Sequence, residues 1–351
     1  MKRPTIKDIA KAAGVSITTV SLVLNKKAAK IPAATKKRIE RIAKEAGYRP
    51  YQVAVSLVKK RSNTIGLIIP DIGNVFFSHI AKGIGEVCSE AEKTLFLCNT
   101  GDIKEKDTEY IKLLADNGVE GIIYIMSRDN NEKSASKAVK ALQNSNIPFI
   151  LLDRFVETAL CPQVYLNHRK GGYIATKHLI DLKHKKIACI TGPKQMPSSK
   201  QRFQGFIDAC EEAKIEYDEK LIYEGGFTLD SGVAAIDYFE KREYTALFAC
   251  NDLSAFGACK RLTELGKKVP EDVSVVGYDD VVYASLMAVP LTTVHQPVYE
   301  MGKLAVNRLF SLMKNYNKNS EKTHKMDNNT KMTDIIIEPK LVVRKSTIAC
   351  G

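Results

Sequence analysis

Carboxylates, amides and two arginines stand just behind a series of short apolar runs, with aromatic residues beside them. Asp71, Asn74, Phe76 and Phe77 follow Ile65–Ile69, and Asp153 and Arg154 follow Pro148–Leu152. Arg202 closes the stretch after Ile187–Thr191. Phe227, Asn251, Asp252, Asp279 and Asp280 follow the later runs. Such groups suit a polyhydroxylated ligand: vicinal hydroxyls pair with carboxylate or guanidinium forks, and a ring covers the apolar sugar face. Each position has a structural alternative. Phe76 and Phe77 begin a helix, where one fills the core. Asp71, Asn74 and Asn251 suit helix caps, Asp280 suits a solvated surface, and Arg202 suits a structural ion pair. No Gly-rich phosphate cradle, nucleophile elbow or H-E-x-x-H is present, which argues against a doubly wound enzyme.

A second chemistry lies at the N-terminus. Residues 1–61 carry 16 Lys and Arg against three acids, while the other 290 residues balance at 37 of each. The whole excess of +13 therefore sits in one small segment, as expected of a module for a polyanion.

Three short helices are predicted to position these charges. Thr5 caps the first, through Thr5-Ile6-Lys7-Asp8, and Gly14 ends it. Ser16 caps a second over Ile17–Leu24, and a third runs from about Pro32 to Ala46. Two short helices joined by a glycine turn have helix-turn-helix geometry. The second helix would then turn Ile17, Thr18, Ser21 and Leu22 toward base edges.

From Thr64 onward short β-rich runs alternate with helical segments in two series, Ile65–Leu152 and Ile187–Val276. Alternating βα units predict parallel sheets covered on both faces. The expected architecture is a small all-α helix-turn-helix head plus an α/β body of two doubly wound parallel-sheet subdomains. The late segments Thr292–His295, Val298–Met313 and Asp334–Ile337 would cross between them. Open parallel sheets bind ligands beyond their strands' carboxyl ends, where the residues named above fall. Asn315–Met332, rich in Asn and Lys, is expected to be a polar disordered loop.

No apolar run approaches ~18 residues, and the basic start meets Asp8 before any apolar stretch, so neither a membrane span nor a secretory signal is expected. The eight cysteines form no CxxC pair and no zinc spacing with the six histidines. Reduced cytoplasmic thiols, no metal and no cofactor are the expectation.

The residues Thr5-Ile6-Lys7-Asp8-Ile9-Ala10, Ala13-Gly14-Val15-Ser16, Thr19-Val20-Ser21 and Leu24-Asn25 closely resemble the opening of the LacI/GalR family of bacterial transcriptional regulators. The likeness continues through Gly47-Tyr48-Arg49-Pro50 and Val53–Leu57, and onward to Arg344 and Ser346. It implies a DNA-binding domain at 1–48, a hinge helix and linker at 49–62, and an effector-binding and dimerisation domain at 63–351. The last divides into subdomains at roughly 63–163 and 164–292 that resemble periplasmic sugar-binding proteins. The implied DNA contacts are Thr5, Ser16, Ile17, Thr18, Thr19, Ser21, Leu22, Asn25, Ala54 and Leu57, with Leu57 as a minor-groove wedge. Leu22 departs from the polar residue many members carry there; it cannot make the bidentate bonds that read guanine. The implied effector contacts are Phe76, Phe77, Arg202, Phe227, Asn251, Asp252 and Asp279, to which Asp71, Asn74, Asp153 and Arg154 are added by their places behind strands. The expected function is an allosteric repressor: a homodimer on a near-palindromic operator, controlled by a sugar-like small molecule. A catabolite-control regulator with a phosphoprotein partner is the alternative within the family.

Overall fold

The computed structural model describes residues 4–25, 30–48, 62–128, 132–319 and 334–351. Two compact units are present, Met1–Ser62 and Asn63–Gly351.

The head holds α1 (Ile6–Ala13), α2 (Ile17–Leu24) and α3 (Ala33–Glu45). Thr5 and Asp8 form a reciprocal capping box on α1, and Gly14 ends it in the left-handed conformation. The Ser16 hydroxyl accepts from the Thr19 amide at 3.1 Å and starts α2. Ile9, Ala10, Ala13, Val20, Val23, Ile39 and Ala43 close a small core of their own.

The body holds two six-stranded sheets. The first is built from β1 (Thr64–Ile69), β2 (Thr94–Asn99), β3 (Gly121–Tyr124), β4 (Phe149–Leu152), β5 (Gln163–Leu166) and β11 (Ile335–Ile337). Their order is β11-β5-β4-β3-β1-β2, all parallel. The second is built from β6 (Ile187–Thr191), β7 (Ile222–Glu224), β8 (Ala246–Ala249), β9 (Ser274–Asp279), β10 (Thr292–His295) and β12 (Lys340–Val342). Its order is β12-β10-β9-β8-β6-β7, parallel except that β12 runs against β10. The strands are continuous apolar runs because helices cover both faces.

On the first sheet lie α4 (Val75–Glu90), α5 (Lys104–Asp116), α6 (Glu132–Asn144) and α11 (Val298–Asn319). On the second lie α7 (His168–Asp181), α8 (Pro197–Glu212), α9 (Leu229–Phe239) and α10 (Asp252–Glu264). The chain therefore passes between the sheets three times: at Asn167, around Gln296, and between Ile337 and Lys340. β5 belongs to the first sheet, so the first passage falls just beyond residue 166 rather than at 163. The α11 helix extends through Asn319, which corrects the expected loop start at Asn315: the lysine and asparagine residues there continue a helix. The rest of that stretch, 320–333, lies outside the described residues.

Three helix pairs meet backbone to backbone through reciprocal glycines. A Cβ on Gly172 of α7 would lie 1.9 Å from the Arg202 carbonyl oxygen of α8, and one on Gly205 would lie 2.0 Å from that of Arg169. Gly83 and Gly302 relate α4 to α11 in the same way, as Gly232 and Gly257 relate α9 to α10.

All eight cysteines are unpaired, and six are buried. Burial pushes the thiols of Cys161 and Cys259 up to about 12, so they are inert hydrophobes at neutral pH. No helix among the described residues is long and apolar enough to cross a membrane.

Candidate functional site

On α2, Val20 and Val23 point into the head's core. Ile17, Thr18, Leu22 and Asn25 lie exposed, with Ser21 half-buried at the same helical spacing. This is one solvent face with no acid on it. Ile17 and Leu22 are 43% and 38% exposed, unusual for large apolar side chains on so small a domain. Both types suit thymine methyl groups, and neither can bond guanine. The other positions divide by role. Thr5 and Ser16 are engaged as caps, and Thr19 lies half-buried beside Ser16 with its hydroxyl 2.9 Å from the serine's. The Asn25 amide donates to the Ser21 carbonyl at 2.8 Å and closes the helix end. Lys37, Arg38, Arg41 and Lys44 form the exposed face of α3. Ala54 and Leu57, the expected hinge contacts, lie outside the described residues.

In the body, the strand order reverses beside β1 and beside β6, and the loops there build a second site. Arg202, one turn into α8, is 5% exposed. Its Nη1 donates to the Cys250 carbonyl at 2.6 Å and lies 3.7 Å from Asp279 Oδ1. The guanidinium stacks 3.9 Å from the Tyr278 ring centre and lies 5.5 Å from that of Phe227. The Phe227 ring rests against Gly192, where a Cβ would meet it at 2.1 Å. Asn251 caps α10 and donates from Nδ2 to the Phe227 carbonyl at 3.1 Å, so it holds that aromatic wall in place.

The first sheet contributes Asp153, 6% exposed, at the end of β4. Arg154 beside it donates to Asp102 Oδ1 at 2.8 Å and to the Met126 carbonyl at 2.6 Å, and its guanidinium lies 5.3 Å from the Phe77 ring centre. Phe76 and Phe77 are both buried, packed edge to face. Asn74 caps α4 by accepting from the Phe76 amide, and Asp71 accepts from the Gly73 amide in an exposed turn.

Asp153, Phe227 and Asp279 all have left-handed backbone, at φ of 65°, 60° and 120°. Non-glycine residues adopt that region at a cost, and such strain gathers where function holds it in place.

The family model for bacterial regulatory proteins of the lacI family matches residues 5–51, and the model for periplasmic binding protein-like domains matches 176–347. The HTH-type transcriptional repressor PurR of Vibrio atlanticus (strain LGP32) is 40% identical over 312 residues, covering 88% of this chain and 92% of its own. The same repressor of Vibrio cholerae serotype O1 (strain M66-2) is 39% identical over 313 residues, covering 88% and 91%. Among solved structures, the lac repressor dimer bound to operator and the anti-inducer ONPF superposes with a TM-score of 0.85 at 28% identity, over 99% of this chain and 100% of that one. The transcriptional regulator CelR in complex with cellobiose superposes with a TM-score of 0.69 at 31% identity, over 98% and 100%.

The chain belongs to the LacI family of bacterial regulatory proteins.

Like these relatives it is a DNA-binding transcriptional repressor controlled by a small-molecule effector, and not an enzyme. The architecture is that of the family, a helix-turn-helix head and two parallel-sheet subdomains.

Asp252 and Asp280 are both held by partners from other parts of the chain. Asp252 is fully buried; its carboxylate accepts from Thr293 Oγ1 at 2.6 Å and from the Val281 amide at 2.9 Å. It braces β10 and the turn after β9. Asp280, expected to be solvated, instead accepts from Arg344 Nη2 at 2.6 Å and pairs with His295 Nδ1 at 2.8 Å. Both partners come from later in the chain, so nothing local announces the pairing.

His168 and Tyr278 stand in the same cluster around Arg202 and escape sequence reading. The His168 ring is fully buried, and its Nδ1 accepts from Arg202 Nε at 3.3 Å. Burial first, then the neighbouring Arg202 charge, holds its pKa well below the usual imidazole range. It is therefore a neutral acceptor that fixes the arginine's plane.

Burial pushes the Asp279 carboxyl up to about 7, against the opposing pull of Arg202. Burial likewise raises Asp153 and Asp252. A carboxyl whose folded pKa exceeds its unfolded value binds more protons when folded. Its contribution to stability therefore falls as pH rises from about 4 to about 7 and is flat above. Asp279→Asn keeps an acceptor for Gln296, which donates to Oδ1 at 2.7 Å, and removes the titration. The variant is expected to gain about 2–4 kcal/mol on wild type between pH 4.5 and 8. Paired thermal melts of effector-free protein measure this. A stability difference that stays constant with pH would show that Asp279 is ionised throughout.

Proposed function

We propose that this repressor acts as a homodimer on a near-palindromic operator, and that its effector is an uncharged ring-shaped molecule with hydrogen-bond donors along one edge. The observation that carries the effector half is the buried Arg202–Asp279 pair, stacked on Tyr278 and walled by Phe227, with Asp153 facing it from the first sheet. Two buried carboxyls, Asp153 and Asp279, thus share the one guanidinium of Arg202. An anionic ligand would add to that surplus, whereas hydroxyl or ring N–H donors relieve it.

A sugar meets this description, as the sequence leads one to expect, and so does a nucleobase. CelR is solved with cellobiose, and the family regulator of Enterococcus faecium, 27% identical with a TM-score of 0.69, is solved with ribose. The Arg202, Asp279 and Phe227 set can grip either class: a flat face lies on the ring and polar edges meet the forks.

Homodimer formation is supported by exposed apolar residues on both sheets. Phe96 and Leu97 lie 40% and 41% exposed on β2, an edge strand of the first sheet. Tyr283 and Leu286 lie 52% and 72% exposed beyond β9 of the second. Open apolar edges of this kind need covering. The lac repressor neighbour is itself a dimer on operator DNA. Pairing two heads also supplies the base contacts that a single helix-turn-helix lacks.

The test is a thermal-shift panel of neutral sugars, sugar phosphates and nucleobases, followed by operator titration with every compound that stabilises. Stabilisation by a neutral compound that also changes operator affinity is the expected result. Stabilisation by phosphorylated compounds alone would overturn the proposed effector class.

A further inference from the structure

Arg128 leaves the carboxyl end of β3 on the first sheet and bonds to the second-sheet subdomain. Its Nη1 donates to the Gly226 carbonyl at 2.8 Å, immediately before Phe227. The arginine is itself anchored. Its backbone amide donates to Asp102 Oδ1 at 2.8 Å, and its Nε lies 3.8 Å from Asp102 Oδ2. Arg154 donates to the same Oδ1 at 2.8 Å. Burial works against ionisation of Asp102, but the two guanidiniums and the Arg128 amide hold its carboxyl below the ordinary range. Asp102 sits at φ 60°, a further strained residue at a strand end.

The far end of this strut meets a short loop with few fixings. The Gly225 amide bonds to the Thr191 carbonyl at 2.9 Å, the Gly226 amide to Ser231 Oγ at 2.8 Å, and the Phe227 carbonyl accepts from Asn251. Those bonds stay within one subdomain and survive any change in the spacing of the two. The Arg128 bond does not: it forms only when the first sheet's loops stand close to Gly226. An isolated, half-exposed ion pair holds a side chain weakly. A guanidinium held at backbone and side chain by one carboxylate is oriented before it reaches its acceptor.

We infer that Arg128, anchored on Asp102, is a positioning residue that ties the aromatic wall of the effector site to the opposite subdomain, so that closure of the cleft and the pose of Phe227 change together. The inference rests on the assignment of Phe227 to the effector site. It gives that site a determinant that does not touch the effector, and it makes the loop 225–227 the place where the arrangement of the subdomains is felt.

Hydrogen exchange of the full-length, effector-free protein tests it, with peptides covering residues 223–231 compared with those covering β3 and α8. Arg128→Ala is expected to speed exchange in 223–231 by about tenfold while the other peptides keep wild-type rates. Arg128→Lys keeps a donor for the Gly226 carbonyl and is expected to recover most of the protection. Unchanged exchange in 223–231 on Arg128→Ala would overturn the inference. So would a uniform rise across both sheets, which marks general destabilisation, or a lysine variant as fast as the alanine one. No effector is added, so the outcome is independent of whether Arg202 and Asp279 grip one; that is decided separately by titrating the Arg202 variants.

Discussion

A chain beginning at residue 63 is expected to lose operator affinity by roughly 10³ or more while still unfolding cooperatively. The head's apolar residues close on one another, from Ile9 to Ala43, and none belongs to the clusters that build the two sheets. Removing them costs the body no core. With them goes the whole +13 excess, and the remainder is electrically balanced. In the intact protein, ~4–5 phosphates neutralised by each of two protomers give a log–log salt slope of roughly −7 to −9. Fluorescence anisotropy on operator DNA across a salt series measures both quantities. A slope near zero, or operator binding retained by the shortened chain, would place the DNA contacts outside the head.

Changing Arg202 to alanine is expected to weaken effector binding by about two orders of magnitude, because a multi-donor clamp is lost from a water-poor site. The same guanidinium also braces the protein, through the Cys250 carbonyl, the Tyr278 ring and Asp279. Removing it leaves buried acceptors behind, so some loss of thermal stability accompanies the loss of binding. Arg202→Lys separates the two effects. It keeps a charge near Asp279 but not the planar fork, so stability should recover more than effector affinity does. Operator affinity without effector should stay near wild type in both variants, since the head is untouched. The measurement is operator release or capture, titrated against a compound found by thermal shift. A variant that responds at the wild-type concentration would make Arg202 a brace alone.

Much of this architecture is written locally. Runs such as Ile65–Ile69 and Ala246–Ala249 are continuous and apolar, as strands covered on both faces must be, and Thr5, Ser16 and Gly14 punctuate the head by cap chemistry. The strand Gln163–Leu166 is too short and too polar at its start to stand out. The helix after it opens His168-Arg169-Lys170-Gly171-Gly172, poor helix-forming sequence. Its glycines answer to distant groups: a Cβ at Gly171 would lie 2.1 Å from the Tyr278 hydroxyl, and one at Gly172 would meet the Arg202 backbone. Propensity is overridden there by tertiary contact. In the proposed effector site, Arg202, Phe227, Asn251, Asp153 and Asp279 stand out by their places behind strands. His168, Tyr278, Asp102 and Arg128 could not, because their roles are set by partners far along the chain. The spare carboxylate of Asp280 likewise looks solvated until Arg344 is brought beside it.

The reciprocal glycines govern how such a molecule can move. Where two helices touch at their backbones, no layer of side chains lies between them to change rotamer or slide. The α7–α8 pair, the α9–α10 pair and the α4–α11 pair each have such a crossing, which is expected to resist sliding. If the effector binds Arg202 as proposed, the backbone of that residue, wedged over Gly172, links it to α7 and to Asn167, the first passage between the sheets. A shift of that pair is expected to appear as rotation about the three connections between the sheets, felt by the other subdomain.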